Sequence, residues 1–380
     1  MSLTFTQRRL VHSTYFVNVR YTAPMNPVNY TNVLHDLLNI VVHENASDIH
    51  LSVGAHPTVR INGTLVPVDK HPVLTEEDVQ GMLRAMVQPA QEQRFAETNE
   101  LDIAYSMPDG SRFRVNAFVA QGAVGIVMRY IPNVIKNFDE LGLPPVLETF
   151  TQRKQGLFLV VGPVGQGKTS TLAAMIERIN ETRNAHIMTI EDPVEFLYAP
   201  KKAHINQREV RVDTVDFPSG LNAALRQDIN VLLVGEMRGL EAISTTITAA
   251  ETGHLVFATL HTNSAAQTID RIIDSFPANQ QDQIRLQLST SLIGVLSQRL
   301  LPRIQGGRVP VCELLVNTTA VANLIRERRT HEIRTAIETG SEFGMIDMNR
   351  ALVDLVHHGE ITVETAYANS PDPRVLERLF

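Results

Sequence analysis

Cysteine is almost missing from this chain: there is one thiol, Cys312, among 380 residues. A single thiol builds neither an intrachain disulfide nor a four-thiolate zinc site, and it fits a reducing compartment. Long apolar runs are missing too. The longest, around residues 156–165, falls far short of the roughly 18 residues that span a bilayer, so any membrane contact is expected to be peripheral. An excess of positive charge is also lacking, with 34 basic against 41 acidic side chains and a net charge of −7. Neither that balance nor any aromatic-basic strip offers phosphate neutralisation, which argues against a nucleic-acid partner. What the chain does have is apolar side chain. Hydrophobic residues at 43% and charged residues at 20% supply a packed core and exclude a disordered chain. At roughly 100–200 residues per domain, the length suggests two or three domains of a soluble, cytosolic protein.

Acidic residues are absent from the first 24 positions, which hold Arg8, Arg9 and Arg20; the first carboxylate is Asp36. Such an end can be a transit peptide, but without an apolar segment it is not a secretory signal. The plainer readings are a flexible leader over residues 1–28, or a true start at Met25. From Tyr30 the pattern becomes globular. Val33, Leu34, Leu37, Leu38, Val41 and Val42 recur at helical spacing. Strands are expected over residues 48–53 and 58–66, with Asn62-Gly63 as a hairpin turn, then a helix over 74–96 capped by Thr75. Three further strands follow at 102–106, 111–118 and 125–131. This is a small α+β domain over residues 29–132, with a proline-bearing linker at 133–146.

The texture of residues 147–380 is different. Short apolar runs at 156–161, 186–190, 231–234 and 255–260 alternate with helical segments. That is the pattern of a parallel sheet buried on both faces. From about residue 279 to the end the pattern reads as mostly helical.

The chemistry lies at the ends of these runs. Gly162-Pro-Val-Gly165-Gln-Gly167-Lys168-Thr169 fits the P-loop spacing and stands between an apolar strand and a helix. The glycines turn backbone N–H groups toward an anion, and the helix that follows, from Ser170, adds its positive dipole end. Lys168 is placed to reach the β- and γ-phosphates of ATP, and Thr169 to hold Mg²⁺. Thr189-Ile-Glu191-Asp192-Pro-Val-Glu195 and Val231-Leu-Leu-Val-Gly-Glu236 close two other strands. Ligands bind outside such carboxyl ends, where carboxylates hold a metal or orient water. Glu236 is the better base candidate, because no basic residue precedes it in the most apolar strand. His254 and His261 flank the strand at 255–260. Arginines complete the set: Arg112, Arg114 and Arg129 on neighbouring strands of the small domain, and Arg226 and Arg238 around Glu236.

Together these motifs resemble the ATPases of type II secretion and type IV pili, from about residue 30 to the C-terminus. Within them the chain looks like the PilT-type retraction ATPases of twitching motility. The resemblance covers the Walker A loop at 162–169, the Asp box at 189–195, the Walker B segment at 231–238 and the His box at 252–264. Ala46-Ser-Asp-Ile-His-Leu51, Ile205-Asn-Gln-Arg-Glu-Val210 and Ala320-Val-Ala-Asn-Leu-Ile-Arg-Glu327 match as well. It implies an α/β protein with a PAS-like first domain, a RecA-like P-loop NTPase domain with a helical C-terminal region, and a ring of six subunits. Gly162, Gly165, Gly167, Lys168, Thr169 and Ser170 would bind ATP, with Arg114 and Arg129 reaching it from the first domain. Thr169 and Glu191 would serve Mg²⁺, Glu236 would activate water, His261 would couple nucleotide state to motion, and Arg226 would act as an arginine finger. The implied partners are five more copies of this chain and the inner-membrane platform protein of the pilus, touched from the cytosolic face; a paralogous ATPase could share the work. Extension ATPases usually carry a four-cysteine zinc site, which one cysteine cannot form. That favours retraction.

Departures from the family pattern are specific. Val164 and Gln166 stand where Thr and Ser are usual, Asn222 where an Arg is usual, Ile229-Asn230 where Pro-Asp is usual, and Gly239 where an Asp is usual. They leave open an accessory or weakly active paralogue, or a secretion ATPase serving another machine.

Overall fold

The computed structural model describes residues 28–380 except 62, 132 and 133. The leader expected before residue 28, Met25 within it and Asn62 of the expected hairpin turn lie outside the described residues. The first helix, Tyr30–His43, buries Leu34, Leu37, Leu38 and Val41 completely, one face of the heptad-like spacing. It covers a six-stranded antiparallel sheet of β1 (Asp48–Ser52), β2 (Thr58–Ile61), β3 (Thr64–Pro67), β4 (Glu100–Ser106), β5 (Arg112–Ala120) and β6 (Ala123–Ile131). The strand order is β3-β2-β1-β6-β5-β4.

The helix expected over 74–96 is two helices, Glu76–Met86 and Pro89–Thr98. Pro89 has no N–H to donate and its ring clashes with a preceding helical turn, so it opens the second helix instead of continuing the first. Thr75 does cap the first: its backbone N–H donates to Asp78 Oδ2 at 2.8 Å, and Asp78 N–H returns to Thr75 Oγ1 at 3.2 Å.

The second sheet has seven strands: β7 (Gly156–Val161), β8 (His186–Glu191), β9 (His204–Glu209), β10 (Val231–Val234), β11 (Leu255–Leu260), β12 (Leu292–Pro302) and β13 (Arg308–Val316). Their order is β13-β12-β7-β11-β10-β8-β9, all parallel except the β12–β13 pair. The four apolar runs are its central strands β7, β11, β10 and β8. Leu157, Leu159 and Val161 point into one apolar layer, and Phe158 and Val160 into the other. Three strands were not expected. β9 is a polar edge strand with no apolar run to reveal it. β12 and β13 interrupt the region read as helical, and β12 is buried on both faces from Gly294 to Gln298, so it shows no alternation that would mark it as a strand. Helices resume at Thr319 and continue to the end; Met348 and Leu352 pack with Leu301, Val309 and Val311 of the β12–β13 pair. No helix of the described residues is long and apolar enough to cross a membrane.

A buried arginine ties the two sheets together. Arg112 at the start of β5 donates from Nη2 to the carbonyl oxygen of Val194, 2.7 Å away, just beyond β8. Its charge faces Glu209 and Glu191, and burial holds its pKa below the usual arginine value.

Candidate active site

The loop after β7 is built for an anion. Gly162, Gly165 and Gly167 have φ of +147°, +77° and +79°, values that side chains beyond glycine rarely adopt. Lys168 opens the helix Lys168–Thr182 and is buried. It turns back on its own loop, donating from Nζ to the carbonyl oxygens of Gly162 at 2.7 Å and Pro163 at 2.9 Å. Its third donor meets His261 Nδ1 at 3.1 Å. Desolvation lowers the Lys168 pKa, opposed by the Glu236 charge. The Thr169 hydroxyl makes no hydrogen bond to protein among the described residues. A cradle open around Gly165, a buried ammonium and a free hydroxyl at the second helical position therefore fit a magnesium-bound nucleotide.

Glu236, two residues past β10, lies 2.7 Å from Arg238 Nε and 3.2 Å from His261 Nε2, both measured to Oε1. An ammonium has no acceptor, so His261 Nδ1 accepts from Lys168 and the ring proton sits on Nε2, facing Glu236. The backbone that presents Glu236 is pinned: Thr259 Oγ1 donates to the Gly235 carbonyl at 2.6 Å, and Gly235 N–H to that of Ile190 at 2.8 Å. A Cβ on Gly235 would come within 3.2 Å of Glu191 Cα, so glycine lets the ends of β8 and β10 approach. The Glu191 carboxyl is buried and accepts from Thr189 Oγ1 at 2.6 Å. Burial raises its pKa to about 7, with the nearby Glu195 charge adding to the rise and the Thr189 hydrogen bond opposing it.

The arginines divide. Arg114 Nη1 reaches Glu195 at 3.9 Å, across the two sheets. Arg129 stays within its own sheet, its Nε 2.8 Å from Oδ1 of the buried Asp48, which sits opposite it in register. Arg226 is exposed past the helix Phe217–Ala224, and its side chain has no partner among the described residues. His254 is structural: Nδ1 binds the Ala249 carbonyl at 3.0 Å, at the end of the helix Leu240–Glu251. Ser264 caps the helix Ala265–Asp274, while the Asn263 side chain does not.

Several departures have local reasons. Asn230 Oδ1 accepts from the His186 N–H at 2.8 Å and so closes the start of β8 beside β10, while Ile229 is buried in the core. Gly239 has φ +80° and ψ 159°, a conformation open to glycine almost alone. Gln166 places its side chain on β12, where the buried Gln298 also contacts the loop. Sequence reasoning missed Gln298, because nothing placed β12 beside β7.

A parallel sheet with a P-loop, a strand-end glutamate and a strand-end histidine at one edge defines a P-loop NTPase of the RecA-like α/β class. Residues 26–340 match the model of the Type II/IV secretion system protein family, and the chain belongs to that family. It is 44% identical over 338 residues to the type IV pilus retractation ATPase PilT of Pseudomonas aeruginosa, covering 89% of this chain and 98% of that protein. It is also 44% identical over 311 residues to a twitching motility protein of Neisseria gonorrhoeae, covering 82% and 83%. The crystal structure of the pilus retraction motor PilT with bound ADP superposes with a TM-score of 0.84 at 45% identity, covering 91% of this chain and 99% of that one. The family is one of secretion and pilus ATPases, and the likeness is to its retraction branch.

Proposed function

We propose that this chain hydrolyses Mg-ATP as a subunit of a homohexameric motor that powers type IV pilus retraction. The observation that carries the reading is the single chain of contacts from Lys168 through His261 to Glu236, which joins a phosphate-binding ammonium to a water-activating carboxylate. Gly162, Gly165, Gly167, Lys168, Thr169 and Ser170 receive the phosphates. Thr169 and Glu191 would hold Mg²⁺, which would supply charge neutralisation to the phosphates. Glu236 takes a proton from water as that water attacks the γ-phosphorus; the bond to the β-phosphate oxygen breaks and ADP leaves. Phosphate draws Lys168 away from the loop carbonyls and from His261, so the ring reports nucleotide state to Glu236. Arg226, exposed and unpartnered, completes the site of a neighbouring subunit. Arg114 approaches nucleotide from the first domain, and Arg129 does so once it leaves Asp48.

In this reading residues 29–132 form the first domain, 133–146 the linker and 147–380 the ATPase domain, working at the cytosolic face of the inner membrane on the pilus platform protein. The retraction relatives and the single cysteine support it. Deleting the gene tests it in the cell: hyperpiliated, non-motile cells are expected, and cells without pili would indicate extension. A second reading, an accessory subunit with weak turnover, rests on Asn222, exposed four residues before Arg226. Asn222→Arg raises turnover in that case and leaves it unchanged in the first.

A further inference from the structure

Two glutamines tie the P-loop to a strand outside the motif. Gln298 follows Ser297, which pairs with Val161 at the end of β7. Only 2% exposed, it donates from Nε2 to the Gln166 carbonyl at 2.8 Å and accepts at Oε1 from Thr171 Oγ1 at 2.7 Å. Gln166 returns the contact, its Oε1 accepting from the Leu300 N–H at 2.6 Å. Loop and strand are so close that a Cβ on Gly162 would lie 2.3 Å from the Gln298 carbonyl oxygen, and one on Gly167 3.0 Å from Nε2. The intervening side chain, Arg299, is directed elsewhere: it donates from Nη1 to the Asn369 carbonyl at 2.6 Å. β12 is thereby anchored on the helix Val363–Asn369, on the side away from the loop.

We propose that Gln298 is a positioning residue for the nucleotide site, holding the P-loop and the first turn of its helix in the conformation that receives phosphate. The inference rests on the nucleotide reading above. A P-loop binds through backbone N–H groups that must already converge. Three glycines with positive φ leave such a loop many other conformations, and ordering it at the moment of binding weakens affinity. Gln298 supplies that order beforehand. Thr171, 1% exposed and facing away from solvent, has one task here: its hydroxyl occupies Oε1, which turns Nε2 toward the loop. Gln166, a departure from the family pattern, adds a second tie two residues along the strand.

The test uses the full chain with three substitutions. Gln298→Glu keeps the shape but sets an acceptor against the Gln166 carbonyl; Thr171→Val removes the orienting hydroxyl, and Thr171→Ser keeps it. Mg-ADP affinity is measured by titration with a fluorescent ADP analogue, beside KM, kcat and the nucleotide-free melting temperature. Gln298→Glu and Thr171→Val are expected to weaken ADP binding about tenfold and raise KM in step, with kcat little changed. Each loses a buried hydrogen bond, so the nucleotide-free melting temperature falls as well, and binding is read well below it. Thr171→Ser should bind like the wild type. Unchanged affinity in folded Gln298→Glu overturns the proposal, as does a fall in kcat equal to the rise in KM, or a loss in Thr171→Ser equal to that in Thr171→Val, either of which marks a merely structural role. If Gln298→Glu does not fold, Thr171→Val against Thr171→Ser decides by the same criteria. Wild-type protein that binds no ADP refutes the nucleotide reading itself, a distinct outcome.

Discussion

His261 stands between the two working groups of the site, with Nε2 3.2 Å from Glu236 Oε1 and Nδ1 3.1 Å from Lys168 Nζ. One ring thus contacts both the ammonium proposed to meet phosphate and the carboxylate proposed to meet water. His261→Ala is expected to lower ATP turnover about tenfold or more while leaving nucleotide affinity near that of the wild type. The ring is partly exposed and its loss opens no core cavity, so the melting temperature should hold. Equal losses in affinity and turnover would assign it to binding alone.

Arg226 should separate function from stability. Exposed and without a side-chain partner, it can be replaced by alanine with a change of no more than about 0.5 kcal/mol. Turnover of the assembled protein is nevertheless expected to fall at least about tenfold, as loss of a charge-neutralising guanidinium predicts. Phosphate release set against denaturant unfolding makes the comparison.

Arg112 is the opposite case. It is buried, and its Nη2 bonds the Val194 carbonyl from the other sheet. Arg112→Ala should destabilise by about 2–3 kcal/mol, because the carbonyl loses a charge-assisted partner and a large side chain leaves a packed position. Hydrogen exchange around residues 193–196 should accelerate with it. An unfolding midpoint unchanged from the wild type would contradict this account of the contact between the sheets.

Gly239 is held in a backbone conformation that side chains resist, yet a Cβ there would meet nothing within 4 Å. Any loss in Gly239→Ala is therefore backbone strain, expected at about 1–3 kcal/mol. Urea unfolding measures it directly.

Burial pushes the Cys312 thiol from 9.0 up to about 12. The folded chain keeps this proton where the unfolded chain loses it, so the contribution lowers stability as pH rises from 9.0 to about 12 and is absent below that window. At pH near 8 the native thiol should be inert to a thiol reagent, and the denatured chain should react at one site. Rapid native reaction would show that the β13 region opens.

Much of the site was legible because its chemistry needs fixed spacing. The P-loop, Glu236 and His261 each follow a short apolar strand and Glu191 ends one, and those four strands are the centre of the sheet. What could not be read depends on distance along the chain. Gln298 lies 132 residues from Gln166, and only the unexpected β12 brings them together. Burial on both faces left β12 without alternation, just as the absence of an apolar run hid β9. Arg129 illustrates a further gap: composition shows an arginine, but only the pairing of β1 with β6 shows that Asp48 holds it.

The central claim is hydrolysis at Glu236, and the most direct measurement is phosphate release from Mg-ATP by the wild type and by Glu236→Gln. The account predicts steady turnover in the wild type and a loss of at least about a hundredfold in the variant, which still binds and retains ATP. Equal turnover in both proteins, or none in a folded and assembled wild type, would contradict it.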